Sequence, residues 1–251
     1  QPSSQDTGPC GNDTLSNFEN LAGSPDNDAL TGDSGNNVIA GLGGNDTLSG
    51  GVAGTDTADY SAVTTAVTVN LSTGTASGGA GSDTLSGFEN ATGGAGGDTL
   101  TGDGGGNVLD GGAGNDTIDG GQGNDTLACG DGVDTASYAT TTTGVTVNLS
   151  TTTAQNTVGA GTDTLSGCEN ATGGSGPDTL IGTSGDNTLT GGAGDDTLAG
   201  LAGNDALSGG DGTDTADYSA ATSSVTVSLA VASAQNTGGA GTDTLTSVED
   251  L

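Results

Sequence analysis

A nine-residue unit, Gly-Gly-x-Gly-x-Asp-x-apolar-x, recurs along this chain and limits what it can fold into. It is plainest at 111–128, where GGAGNDTID is followed by GGQGNDTLA, and it returns at 78–86, 93–101, 173–181 and 191–199. A short strict period marks a solenoid, because one unit cannot bury its apolar residue without a neighbour stacked on it. The glycines allow positive φ and close approach of successive turns. The x-apolar-x stretch is a very short strand with one side chain pointing inward.

The sixth position of the unit is Asp13, Asp28, Asn37, Asp46, Asp56, Asp83, Asp98, Asn107, Asp116, Asp125, Asp134, Asp163, Asp178, Asn187, Asp196, Asp205, Asp214 and Asp243. Two residues on comes the apolar position, for example Leu48, Leu85, Leu100, Ile118, Leu127, Leu165, Leu198 and Leu245. A longer period overlies this one. Phe88-Glu89-Asn90 returns as Cys168-Glu169-Asn170 and again as Val248-Glu249-Asp250 at intervals of 80, and Phe18-Glu19-Asn20 lies 70 before the first of these. Each module also carries a Tyr motif, at Tyr60, Tyr138 and Tyr218, followed by VTVNL at 67–71 and 145–149 or VTVSL at 225–229. The alternation in those five residues predicts a half-buried strand. We therefore expect an N-terminal extension at 1–7, modules at 8–77, 78–157 and 158–237, and the start of a fourth at 238–251, as one continuous solenoid.

Composition narrows the function. There is no Lys, Arg or His against 32 acidic residues, a formal net charge of −32. Such a chain offers no electrostatic partner to nucleic acid or an anionic membrane. No stretch approaches the ~20 apolar residues of a membrane-spanning helix, so no membrane insertion is expected. Without His or Lys, most general-base, Schiff-base and nucleophile–base chemistry is missing. Every acid belongs to a repeat, a poor setting for the unique carboxylate pair of a glycosidase, and the expectation is no enzyme. Low hydrophobicity with high charge would ordinarily mean disorder. A strict repeat and a stoichiometric counterion are the two ways out.

The nonapeptide register, held over many copies, resembles the RTX, or hemolysin-type calcium-binding, repeat of proteins secreted by bacteria. The resemblance implies an all-β fold, a right-handed parallel β-roll (β-solenoid) with calcium-binding Gly-rich turns. Two nonapeptides make one coil, and calcium ions lie between turns on adjacent rungs. It also implies a secreted or cell-surface location, with folding outside the cell where calcium is high.

The residue chemistry agrees with calcium on its own terms. Calcium takes six to eight oxygen ligands in flexible geometry, whereas magnesium dehydrates reluctantly. Zinc and copper favour Cys or His. Carboxylates and Gly-rich carbonyls are what the repeat supplies. The metal-ligand row is Asp13, Asp28, Asp46, Asp56, Asp83, Asp98, Asp116, Asp125, Asp134, Asp163, Asp178, Asp196, Asp205, Asp214 and Asp243. Asn37, Asn107 and Asn187 are left out: these rungs either lack calcium on that side or use the amide for hydrogen-bonded stacking. Folding is expected to be coupled to calcium.

Other residues get plainer readings. Asp33, Asp103, Asp119 and Asp195 lie off the sixth position and are read as solvated. Tyr60, Tyr138, Tyr218, Phe18 and Phe88 are read as core plugs where the nonapeptide rhythm breaks, with a stacking or sugar-binding row as the alternative. Glu19, Glu89, Glu169 and Glu249 either ligate metal or cap a turn. The Asn-x-Ser/Thr triplets at Asn12, Asn45, Asn70, Asn90, Asn115, Asn124, Asn148 and Asn170 are accidents of the repeat. Cys10, Cys129 and Cys168 are substitutions into repeat positions. Cys129 and Cys168, 39 residues apart, are expected about two rungs from each other and beyond the ~7 Å reach of a disulfide. They are read as free buried thiols, with a bond between subunits as the alternative.

The segment 8–21 aligns with 238–251, and neither end shows a polar cap. Uncapped solenoid edges accept further strands, and head-to-tail contacts that do not close give filaments. The expectation is a calcium-stiffened extracellular structural protein. It self-associates into a polymer or forms part of a fibre, adhesin or surface layer, with a cell-surface or matrix partner. The alternatives are a non-assembling spacer or secretion and folding tail of a larger secreted enzyme or toxin, or a glycan or ice binder with a Thr-rich face.

Overall fold

A computed structural model describes the backbone of residues 4–6 and 12–14 and the whole of 18–251. Among the described residues there is no helix, and none is therefore long and apolar enough to cross a membrane. Strands of about three residues alternate with turns and stack as a parallel β-roll. The register advances by 18 residues per rung, two nonapeptides to a coil: Leu100 pairs with Ile118, Leu109 with Leu127, Leu180 with Leu198 and Leu189 with Leu207. The ladders of the roll gather into sheets of 13, 8 and 4 strands among the described residues, and Ser4–Asp6 pairs antiparallel with Asn12–Thr14 in a separate two-stranded sheet.

The apolar position of each unit points inward, as the repeat requires. Leu100, Ile118, Ala136, Ala171, Leu189 and Leu207 form one buried file, and Ile39, Ala58, Ala91, Leu109, Leu127 and Leu165 form another. Most of their neighbours in the strands face outward or lie half-covered, with Asp119 and Ser137 buried. One aliphatic side chain per nine residues is a thin core.

Each module interrupts the rhythm once. In the first, Val67–Asn70 runs into Thr75–Gly78, which pairs antiparallel with it and with Gly81–Ser86. The chain is thereby carried back to the strand it left: Thr84 pairs with Thr47, Thr164 with Thr126 and Thr244 with Ala206. Residues 37 or 38 apart thus become rung neighbours, and other pairs that span an insertion are 31 to 35 apart, where within a run of nonapeptides the step is 18 or 19. This corrects the cysteine reading. Cys129 and Cys168 are one rung apart, with Cα atoms 5.2 Å from each other, and form a disulfide. The counting that placed them two rungs apart ignored the looped-out insertion.

Three smaller corrections follow from packing. Phe88 is buried, but Phe18 is 58% exposed, since no rung covers it among the described residues. Asp119 is buried, accepting hydrogen bonds from the Gly121 N–H and the Thr140 hydroxyl. The insertion of the second module folds back over it. The VTVSL segment at 225–229 forms only an isolated bridge between Val225 and Gly238, whereas Val67–Asn70 and Thr146–Asn148 are strands. Those two are each covered by a strand of the following module, Thr99–Thr101 and Thr179–Ile181. Among the described residues nothing covers 225–229 in that way.

Candidate metal centre

The sixth-position residue of each unit closes its turn and leads into the next strand. Its backbone N–H donates to the Oδ1 atom of the sixth residue one rung on. Asp98 donates to Asp116, Asp116 to Asp134 and Asp178 to Asp196, each at 2.7 Å, and Asp196 donates to Asp214 at 2.8 Å. The ladder crosses the insertions at 3.0 Å, from Asp46 to Asp83, Asp125 to Asp163 and Asp205 to Asp243. The Asp row therefore forms two stacked columns, one on each side of the roll. With the exception of half-buried Asp28, each member with a described side chain is buried.

Each such carboxylate has a second oxygen, and its fate divides the turns. In seven turns, those of Asp46, Asp116, Asp125, Asp134, Asp196, Asp205 and Asp214, Oδ2 is buried and has no hydrogen-bond partner among the described residues. All seven share one backbone feature. The second residue of the turn is left-handed: Leu42 (φ 72°), Gly112 (92°), Gly121 (84°), Gly130 (105°), Gly192 (115°), Leu201 (73°) and Gly210 (116°). In the turns of Asp28, Asp98 and Asp178 the second residue, Ser24, Gly94 or Gly174, is not left-handed. There its N–H turns inward and caps Oδ2 at 2.5–2.6 Å. A left-handed second residue directs that N–H away and leaves the carboxylate oxygen unclaimed.

An unpaired buried carboxylate oxygen is costly, and a chain without Lys, Arg or His has no basic side chain to meet it. The surroundings fit a cation. A Cβ placed on Gly111 would touch both Asp116 Oδ2 and the carbonyl oxygen of Cys129 on the next rung. One placed on Gly191 would touch Asp196 Oδ2 and the Gly209 carbonyl. The first glycine of the turn thus leaves an oxygen-lined cradle between rungs that any side chain would fill. Among the described residues no three His, Cys, Asp or Glu side chains converge. The donor set is one carboxylate per turn with backbone carbonyls, hard oxygen ligands of the kind calcium accepts. Burial is the main cause of raised carboxyl pKa values here, with neighbouring carboxylates adding to it and the ladder N–H opposing it. Asp125 is pushed up to about 7, and Asp116, Asp196 and Asp205 to about 6. Asp46 and Asp134 shift the same way.

The chain matches the family model of the RTX calcium-binding nonapeptide repeat at 22–57, 73–91, 92–127, 172–207 and 192–219, which together cover more than half its length. It belongs to this family. RTX repeats bind multiple calcium ions, so this is a calcium-binding β-roll. Members are generally structural and calcium-binding rather than catalytic, and are typically secreted by bacteria. No curated protein matches the chain.

The remaining turns of this RTX roll manage their oxygens without an open cradle. In the Asn turns, the second residue's N–H, from Asp33, Asp103 or Thr183, donates to Asn Oδ1 at 2.7–2.9 Å. The amide Nδ2 then donates to the backbone carbonyl of the module glutamate one rung back, from Asn107 to Glu89 at 2.6 Å and from Asn187 to Glu169 at 2.5 Å. Of the two readings left open for Asn, stacking through the amide is what these contacts show. Asp83 and Asp163 close their second oxygen on hydroxyls. Tyr60 donates to Asp83 at 2.9 Å, and Tyr138 and Thr157 donate to Asp163 at 3.1 and 3.0 Å. Thr237 does the same for Asp243 at 3.3 Å. Burial and the adjacent carboxylates hold the Tyr60 and Tyr138 hydroxyls protonated by raising their pKa. These two tyrosines are core plugs, as read from sequence, and also caps.

The module glutamates cap as well. Glu89, Glu169 and Glu249 accept the N–H of Asp56, Asp134 and Asp214 through Oε2 at 2.8–2.9 Å. Glu89 and Glu169 stand just before a strand and Glu249 before the bridge residue Asp250, the place Asp holds elsewhere, but a shorter turn leads into each and the longer side chain makes up the reach. Asp56 accepts the Asn37 N–H at 2.7 Å. Asp13 lies outside the residues whose side chains are described. A further ladder escaped the sequence reading. Fifth-position asparagines accept the N–H of the next rung, Asn45 from Ser82, Asn115 from Val133 and Asn124 from Thr162. The recurrence of Asn before the sixth-position Asp was the signal for it.

Proposed function

We propose that this protein is a calcium-stiffened extracellular shaft in which ions occupy the open turns and which associates end to end into a polymer or forms part of a fibre, adhesin or surface layer. The observation that carries the reading is the set of buried, unpartnered Oδ2 atoms facing carbonyls across adjacent rungs in a chain without a basic residue. Ions are assigned first to Asp46, Asp116, Asp125, Asp196, Asp205 and Asp214, whose turns begin with glycine; the Asp134 turn, open by the same measure, begins with Cys129 and is set apart from them. Asp28, Asp56, Asp98 and Asp178 come second. At Asp83, Asp163 and Asp243 an ion would have to displace or share a hydroxyl. Calcium, when bound, supplies positive charge and accepts several oxygens at once. The chain's own part is to stack the carboxylates and hold the cradles open with glycine, while the ions' charge offsets the repulsion between acidic columns.

The segment 225–229 offers a seat for an added strand, whether from a second copy or from the same chain. Val225 and Leu229 are exposed there, whereas their counterparts Val145 and Leu149 are buried under the next module's strand. A strand-like apolar segment without a covering rung accepts one. A calcium titration followed by small-angle scattering and electron microscopy tests the proposal. Rods should form with calcium and lengthen with protein concentration. Strictly monomeric rods at saturating calcium would eliminate polymerisation while leaving the calcium-bound roll intact.

A further inference from the structure

The turn of Asp134 differs from the other open turns in its first residue. That residue is Cys129 instead of glycine. At the equivalent Gly209 of the third module, a Cβ would press on Asp214 Oδ2 and on the Ser247 carbonyl of the next rung. At Gly50 of the first, it would press on the Gly87 carbonyl and the Asp56 side chain. Cys129 carries that Cβ, so its side chain stands where the other modules leave a cradle. Its partner Cys168, in the third module, stands where the second module has Phe88 and the start of the fourth has Val248. A glycine beneath a large apolar residue is thus replaced, at one of the insertions, by two half-cystines. The bond lies across the insertion, and both half-cystines are buried. Cys129 is also tied to the next rung through its N–H, which donates to the Ser166 carbonyl at 2.9 Å.

We propose that Cys129–Cys168 is a covalent rung clamp that stands in for an ion at the Asp134 turn, forms on the calcium-folded roll, and is reciprocally coupled to calcium. The two thiols are 39 residues apart in sequence and meet only when the insertion has looped out and the rungs are in register. Formation removes two electrons and two protons from the thiol pair, and a small-molecule disulfide takes them up and leaves as two thiols. Because calcium and the bond both favour the folded roll, each must strengthen the other. Cross-linking a loop of this length shifts the folding equilibrium by about 10²–10³-fold at fixed calcium. If about six ions bind on folding, the calcium midpoint falls roughly threefold. The inference goes beyond the shaft proposal and does not depend on assembly.

The test uses the full chain with Cys10→Ser, which leaves one possible intramolecular pair. Reduced protein is exposed to oxidised glutathione with calcium or with chelator, quenched by alkylation and weighed intact. With calcium, the expected product is the internal bond, two hydrogens lighter and unalkylated. With chelator, mixed disulfides and alkylated thiols should dominate. Calcium titrations by circular dichroism should then place the midpoint of the oxidised form about threefold below that of the reduced form. The double variant Cys129→Gly/Cys168→Phe rebuilds the Gly50 and Phe88 pair found one repeat earlier. It should fold with calcium and show no shift on adding reductant. Equal yield of the internal bond with and without calcium, or identical midpoints for oxidised and reduced protein, would overturn the proposal.

Discussion

Asp116 and Asn107 sit nine residues apart in the same module and close neighbouring turns, yet they satisfy their second side-chain atom in opposite ways. The Asn107 amide brings its own proton and donates to Glu89 across the rung. In the gap beside the first glycine of the turn, Asn107 presents Oδ1, which the Asp103 N–H caps, whereas Asp116 presents Oδ2 and finds no donor there among the described residues. The backbone follows suit: Gly112 is left-handed in the Asp116 turn, whereas the Asp103 N–H points inward and caps Asn107. One change in backbone conformation at the second residue separates a turn that closes itself from one that calls for a cation, and the Asn107 amide adds a donor across the rung. The modules mix both kinds, so the roll has stretches held by protein hydrogen bonds alone and stretches that depend on calcium.

The largest effect that would break this contrast is removal of calcium at neutral pH. The open turns should then repel, and the β signal in circular dichroism should collapse to a largely disordered chain, returning when calcium is restored. A chain that keeps its fold in chelator would mean the open turns need no ion.

Next in size is Asn107→Asp. It sets a carboxylate oxygen against the Glu89 carbonyl with no proton between them. Stability at saturating calcium should fall by about 1–3 kcal/mol in urea unfolding. Unchanged stability would show that the amide proton is not what closes the turn.

Acidity tests the open side of the comparison. Asp125 titrates near 7 and Asp116, Asp196 and Asp205 near 6 in the folded roll, against an ordinary value of 3.8. Between these values the folded state holds more protons than the unfolded chain. Calcium-free stability should therefore rise as pH falls from about 7 towards 4, and drain away as pH rises through the folded values. Without calcium, acidification from pH 8 to 5 should recover β signal. With calcium, the same acidification should weaken binding, because protons and ions compete for the same oxygens. Slopes of the same sign in both titrations would contradict the assignment of these carboxylates to the ions.

The smallest effect concerns the two open turns whose left-handed second residue is leucine. Leu42→Gly and Leu201→Gly relieve a conformation that disfavours a side chain, offset by the extra freedom glycine has when unfolded. Each should raise stability with calcium by about 0.5–1 kcal/mol, read as a higher melting temperature. A loss would mean that the leucine side chains contribute contacts worth more than the backbone relief.

Much of this was legible in the chain. The inward file of Leu100, Ile118 and Leu189, the stacked Asp columns and the register of 18 all follow from the nine-residue period. What was not legible depended on how far a side chain reaches and which way one peptide faces. Gly94 and Gly112 occupy the same repeat position, but only Gly112 is left-handed, and glycine permits either conformation. Cys129 and Cys168 read as distant because sequence separation says nothing of a looped-out insertion. Tyr138 read as core, while its hydroxyl on Asp163 awaited the path of the folded-back hairpin.

The amino-acid sequence alone determined the roll, the family and the need for a counterion, because periodicity and net charge are properties of the order of residues. Which carboxylates stand open, which are capped by an amide, a hydroxyl or a glutamate, and which two thiols meet was decided by tertiary structure. Some of those outcomes turn on which way one peptide of a permissive turn faces, others on contacts between rungs 18 to 39 residues apart, and no local pattern encodes the distance between atoms so far separated along the chain.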